Sequence, residues 1–157
     1  MAASQKERFD IIEWRKTMAR IIYSGKIESD FEGFDDNAVF KMSNGTHWVQ
    51  AQYKYWYHYA YRPDATITED NGRTILTVCG HSIPVRHLFD VIESHIEGTF
   101  KGWEGKTKYR LTNGQEWQQI EYKYIYKYAY RPEVTICNID GRYIMYVEGT
   151  HVSVKRV

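Results

Sequence analysis

The strongest constraint on this chain is that it contains the same pattern twice. A shift of about 69 residues lays 27–88 on 96–157 without a gap, with about 25 of 62 positions identical. Asn44-Gly45 falls on Asn113-Gly114, Trp48 on Trp117 and Gln50 on Gln119. Tyr53-Lys54-Tyr55-Trp56-Tyr57-His58-Tyr59-Ala60-Tyr61-Arg62-Pro63 falls on Tyr122-Lys123-Tyr124-Ile125-Tyr126-Lys127-Tyr128-Ala129-Tyr130-Arg131-Pro132. An ungapped match of this length means one small fold built twice in tandem.

Within each copy the hydrophobic period is two, the period of a strand. Ala38, Phe40 and Met42 alternate with polar neighbours, as do Thr107, Tyr109 and Leu111, and each run meets Asn-Gly, a strong hairpin signal because both residues accept positive φ. Further strand patterns follow Pro63 and Pro132, at Ile75–Cys79 with Ile83–Arg86, and at Ile144–Glu148 with Val152–Lys155. About five short strands per copy predict a mainly β chain with two tandem SH3-like or OB-like small barrels. Ahead of them, residues 1–26 read as an amphipathic helix. Ser4 and Glu7 have capping-box spacing, Ile11, Trp14, Met18, Ile21 and Ile22 form one stripe, and Gly25 offers a C-cap. The expected division is therefore helix 1–26, repeat 27–88, linker 89–95 and repeat 96–157. The linker holds neither Gly nor Pro and reads as a stiff connection, such as a helical turn.

The chain carries 14 Tyr, 5 Trp and 6 Phe, and the tyrosines are arranged. In an extended strand Tyr53, Tyr55, Tyr57, Tyr59 and Tyr61 share one face, and so do Tyr122, Tyr124, Tyr126, Tyr128 and Tyr130. Such a row can stack single-stranded nucleic acid, line a groove for an extended peptide or glycan, or form core. Five rings amount to about 1,000 Å², and a monomer seldom leaves an apolar patch above about 300–600 Å² open to water. Patch size thus favours burial for most rings, with part of a row lining a site.

Catalytic and metal signatures are sparse. There is no nucleophile elbow, phosphate-binding loop, dinucleotide glycine fingerprint or His-Glu-x-x-His motif. None of the six histidines faces another histidine in the aligned copies, and Cys79, His81 and His87 lack the further ligands of a zinc site. The acidic stretch Glu28 to Asp36 is matched by Lys101, Gly105 and Lys106, which leaves a carboxylate-dependent hydrolase as the weak alternative. Neither a cofactor nor a metal is expected, and the reading is non-catalytic. Residues 27–88 carry net −3 and 96–157 net +3, within a chain of net +1, far from the charge of a dedicated nucleic-acid domain. No apolar run reaches membrane-spanning length, no signal peptide is read, and two cysteines make no disulfide scaffold. These features predict a cytoplasmic protein.

Ile96-Glu97-Gly98-Thr99-Phe100-Lys101-Gly102-Trp103, then Leu111-Thr112-Asn113-Gly114-Gln115-Glu116-Trp117-Gln118-Gln119, then Tyr124 to Pro132, resembles a small β-domain that recurs in uncharacterised bacterial proteins, some of them encoded in mobile, integron-type gene cassettes. The resemblance covers the second copy and, less closely, the first, where Phe34 stands for the Trp and Thr46-His47-Trp48-Val49 for Gln-x-Trp-Gln. It implies the fold unit and a bacterial source, and carries no activity. The expected function is binding of a protein or peptide by exposed parts of Trp103, Trp117 and Gln119 with Tyr124, Tyr126, Tyr128 and Arg131. A homodimer through the helical stripe is a further expectation. Single-stranded nucleic acid on the Tyr and Lys/Arg side chains of the second copy is the alternative.

Overall fold

The computed structural model describes residues 20–157, and those residues are strands and turns, with no helix. None of them, accordingly, forms a helix long and apolar enough to cross a membrane. The chain divides into two compact units, the contact boundary falling between His87 and Leu88, one residue before the end of the first unit's last strand. The first unit holds β1 (Arg20–Lys26), β2 (Asp30–Phe34), β3 (Val39–Lys41), β4 (His47–Gln50), β5 (Trp56–Tyr61), β6 (Asp64–Asp70), β7 (Arg73–Val78) and β8 (His81–Leu88). The second holds β9 (Ile92–His95), β10 (Thr99–Glu104), β11 (Lys108–Arg110), β12 (Glu116–Gln119), β13 (Tyr124–Tyr130), β14 (Glu133–Ile139), β15 (Arg142–Val147) and β16 (Thr150–Arg156).

Both units have one topology. Six strands form a sheet in the order β1-β6-β7-β8-β4-β3, repeated as β9-β14-β15-β16-β12-β11. The sheet curls until its edge strands meet at one corner, through the bridges Ile27–Met42 and Ile96–Leu111. The remaining two strands of each unit, β2 with β5 and β10 with β13, form a separate antiparallel ribbon. That ribbon is the continuation of the β1–β6 or β9–β14 pair, bent through a corner. In the first unit Ser29 and Arg62 are left-handed at φ 66° and 48°, and the Arg62 amide donates to the Ser29 carbonyl at 2.9 Å. In the second, Gly98 and Arg131 stand at φ 78° and 49° with a 2.8 Å bond between the same groups. Pro63 and Pro132 follow the corner, and their carbonyls accept from the Ile27 and Ile96 amides. The bent-over ribbon lays Phe31 and Phe34 of β2, with Trp56 and Ala60 of β5, onto the cluster of Phe40, Met42, Trp48, Ile67 and Leu76.

A bulge makes this close approach possible. Register slips between Phe31 and Gly33 and between Phe100 and Gly102. Both glycines have positive φ, 95° and 96°, and a Cβ on either would stand 1.8 Å from the carbonyl oxygen of Trp56 or Ile125. Only a residue without a side chain fits there.

Two expectations are corrected. The helix over 1–26 fails in its last turns: Arg20–Lys26 is β1, paired along β6, and Ile21 and Ile22 are exposed rather than on a buried stripe. The rest of that helix lies outside the described residues. Likewise Ile92–His95, read as linker, is β9, pairs with β14, and packs Ile92 on the core. The physical reason is common to both. At the same 69-residue shift Arg20–Lys26 falls on 89–95, and both segments supply the edge strand that the curled sheet needs to cover its last backbone groups. Each repeat therefore runs over 20–88 and 89–157. The Asn-Gly hairpins do join β3 to β4 and β11 to β12, but only the glycine has positive φ. Asn44 acts by its side chain, accepting from the Thr46 amide at 3.1 Å, and Asn113 accepts from Gln115 at 3.0 Å.

Candidate binding faces

Alternation on the bent ribbon decides where the tyrosines point. In β5 the inward residues are Trp56 and Ala60, and in β13 the corresponding Ile125 and Ala129 face the same way. Tyr57, Tyr59 and Tyr61 therefore face outward, as do Tyr124, Tyr126, Tyr128 and Tyr130. All ten tyrosines of the two rows are exposed, between 54% and 84%. The expected burial of these rings is overturned. The inward volume is already filled from the partner strand and the sheet: Phe31, Phe34, Phe40, Trp48 and Trp56 in one unit, Phe100, Trp103, Tyr109 and Trp117 in the other.

The first tyrosines of each row, Tyr53 and Tyr55 or Tyr122, lie in the turn before the strand, and a buried glutamine shapes that turn. The Gln50 side-chain amide donates to the carbonyls of Asp35, Gln52 and Lys54 and accepts from the Asp35 amide at 3.0 Å. Gln119 donates to Glu121 and Lys123 carbonyls, both at 2.9 Å. A buried amide meeting the unpaired carbonyls of an irregular turn is what fixes such a turn in place.

This assigns the sequence-predicted site residues to two groups. Trp103, Trp117 and Gln119 are each 1% exposed, so they are core and are removed from the binding surface. The Trp103 indole donates to Thr150 Oγ1 at 2.9 Å and that of Trp117 to Gln115 Oε1 at 3.1 Å, which satisfies the polar edge of each ring inside its own unit. Tyr124, Tyr126 and Tyr128 share the outward face, and Arg131 is exposed at its corner.

The two outward faces differ in charge. Register places Asp30 directly beside Tyr61 and Thr99 directly beside Tyr130. The bulge position between them and the glycine is Glu32 in the first unit and Lys101 in the second, both exposed. Sequence reasoning that followed the tyrosine strand alone missed these residues; the acidic stretch was visible, but its place beside the rings depends on pairing. Tyr59 donates to Asp30 Oδ1 at 2.9 Å, and that bond, with the neighbouring negative charge, raises the phenol pKa above its ordinary value.

On the inner side the units also diverge. Trp56 is stacked by His81 at 3.7 Å and by His58 at 5.1 Å between ring centroids. His87 stacks on Trp48 at 4.4 Å. The suggested Cys79–His81–His87 grouping is thus not brought together as ligands, and no group of three metal-binding side chains occurs among the described residues. Buried Cys137 has its thiol pushed up to about 12 by desolvation, with Glu93 adding to it. Comparison with protein-family models, curated proteins and solved structures found no match to the chain.

Proposed function

We propose that the chain is a non-catalytic binding protein, made of two small SH3-like or OB-like barrels, whose tyrosine faces hold an extended polypeptide of a partner protein. The observation that carries this reading is the exposure of ten tyrosines in two rows on ribbons whose backbone is held by bulge, corner and buried glutamine. At the exposures given, each row offers on the order of 600 Å² of ring surface, at the top of what a monomer leaves open and near the 800 Å² per partner of an ordinary interface. Rigid tyrosines give large contact area at small ordering cost, with a hydroxyl at each tip for hydrogen bonds. In this setting, an intracellular one, Cys79 and Cys137 stay thiols.

The test is selection of phage-displayed random peptides on the full chain. Enriched peptides are expected to lose binding to the Tyr57→Ala/Tyr59→Ala/Tyr126→Ala/Tyr128→Ala variant while its melting curve stays unchanged. Failure to enrich any peptide, or enriched peptides that bind the variant equally, contradicts the reading. One observation favours a second reading at the other face: Lys101, exposed at the bulge where the first repeat has Glu32, suits a phosphate near stacked bases. There, oligothymidine should quench tyrosine fluorescence with an affinity that falls steeply with salt.

A further inference from the structure

We propose that the tyrosine face of the first repeat selects a cationic strand, an extended polypeptide that carries arginine or lysine on alternate residues. This rests on the polypeptide reading above and adds the chemistry of the partner.

The face is made of Tyr57, Tyr59 and Tyr61 with Asp30 and Glu32. Asp30 sits opposite Tyr61 in register and accepts from the Tyr59 hydroxyl, so its carboxylate is held among the rings. Glu32 is exposed at the bulge beside them. No ion pair to Asp30 or Glu32 occurs among the described residues: Arg62, at the corner itself, makes none with them, and Lys26 is committed to Asp64 at 2.9 Å. Two carboxylates with no ion pair among the described residues, set in a row of exposed ring faces, attract a cation twice, by charge and by the ring quadrupole, and arginine also stacks flat on the rings.

Geometry fits a strand rather than a compact ligand. Alternate residues of an extended chain repeat at about 6.8 Å, and Tyr57, Tyr59 and Tyr61 alternate along β5, so alternate side chains of a bound strand can follow the rings. β5 is laddered on β2 alone, and its second edge carries no strand among the described residues. A partner strand can add its backbone there and lay its cations over the face.

The second repeat is the built-in control. It presents the same rings, yet Thr99 and Lys101 stand where Asp30 and Glu32 stand, which removes one carboxylate and reverses the other charge. The surroundings repeat this difference, with net −3 over 27–88 and net +3 over 96–157.

The experiment uses the full chain and three labelled peptides, (Arg-Ala)6, (Gln-Ala)6 and (Glu-Ala)6, in fluorescence anisotropy at low and moderate salt. (Arg-Ala)6 should bind about tenfold or more tighter than (Glu-Ala)6, with one peptide per chain. Asp30→Thr/Glu32→Lys, which installs residues the second repeat already accepts at these positions, should remove that preference without lowering the melting temperature. Thr99→Asp/Lys101→Glu should create a second site and raise the stoichiometry to two. Equal binding of the three peptides, all lost in Tyr57→Ala/Tyr59→Ala, overturns the charge selection and leaves the polypeptide reading standing. Binding of (Arg-Ala)6 that survives Tyr57→Ala/Tyr59→Ala overturns the face as its site. Binding of none of the three contradicts both.

Discussion

The two repeats solve one packing problem in opposite ways. Position 34 of β2 faces position 56 of β5, and the corresponding pair in the second repeat is 103 with 125. The first repeat uses Phe34 with Trp56, and the second uses Trp103 with Ile125, so the indole has changed strands. Where it sits on β5 it is partly exposed and stacked with His58 and with His81. On β10 it is buried, and its N–H reaches Thr150, the counterpart of His81. Meanwhile the bulge glycine, the buried glutamine, the hairpin tryptophan and the Arg-Pro corner are the same in both. The comparison separates residues that shape the ribbon from residues that fill or decorate it. The first kind admits no alternative; the second trades places.

The sharpest break of that comparison is at the bulge. Gly33→Ala and Gly102→Ala each place a Cβ on a carbonyl carbon–oxygen group, at a φ that alanine disfavours. Each should cost about 4 kcal/mol or more and remove the cooperative melting of its own unit. Calorimetry should show the other unit's transition retained. Next comes the exchanged pair. Trp103→Ala should cost about 3–5 kcal/mol, whereas converting Phe34, Trp56 and His81 together to Trp, Ile and Thr should cost less than about 1.5 kcal/mol, because that set already packs in the sister repeat. A triple variant that costs more than the single Phe34→Trp variant would show that the two ribbons are not interchangeable.

Much of this architecture was legible in the sequence, and the misses have a common cause. The duplication, the hairpins and the strands after the prolines follow from local patterns. β1 escaped because Ile21 and Ile22, adjacent and apolar, imitate a helical stripe; their alignment with 89–95 was the available signal. The tyrosine rows were misplaced because a period of two states that one face differs from the other without stating which is inside. That is decided by β2 and β10, whose Phe31, Phe34, Phe100 and Trp103 fill the core from across the ribbon. The glycines matched at 33 and 102 marked the bulge, yet what they permit is visible only as a distance to the opposite strand.

A smaller effect distinguishes the units by pH. Tyr109 is buried, its hydroxyl donates to the Gly102 carbonyl at 2.8 Å, and desolvation pushes its pKa up to about 12; the first repeat has Phe40 there. A folded-state pKa above the unfolded value means that the stabilisation is complete below about pH 10 and fades as pH rises toward 12. Cys137 acts in the same sense from about pH 9, and its counterpart Thr68 does not titrate. Each group should cost the second unit on the order of 1 kcal/mol per pH unit as it titrates, Cys137 from about pH 9 and Tyr109 from about pH 10. Among the described residues the first unit has only the exposed Tyr59 raised, so the two melting transitions should drift apart. Smallest of all, Tyr57→Ala or Tyr126→Ala should change stability by no more than about 0.5 kcal/mol, since these rings are exposed.

The claim beneath all of this is that the tyrosine rows face water while Trp48, Trp103 and Trp117 hold the interior. Tyrosine nitration of the native monomer, resolved by peptide mass spectrometry, addresses it ring by ring. The ten tyrosines of the two rows are expected to react readily and Tyr109 to stay unmodified until the second unit unfolds. Rows as protected as Tyr109 in the monomer would contradict the account.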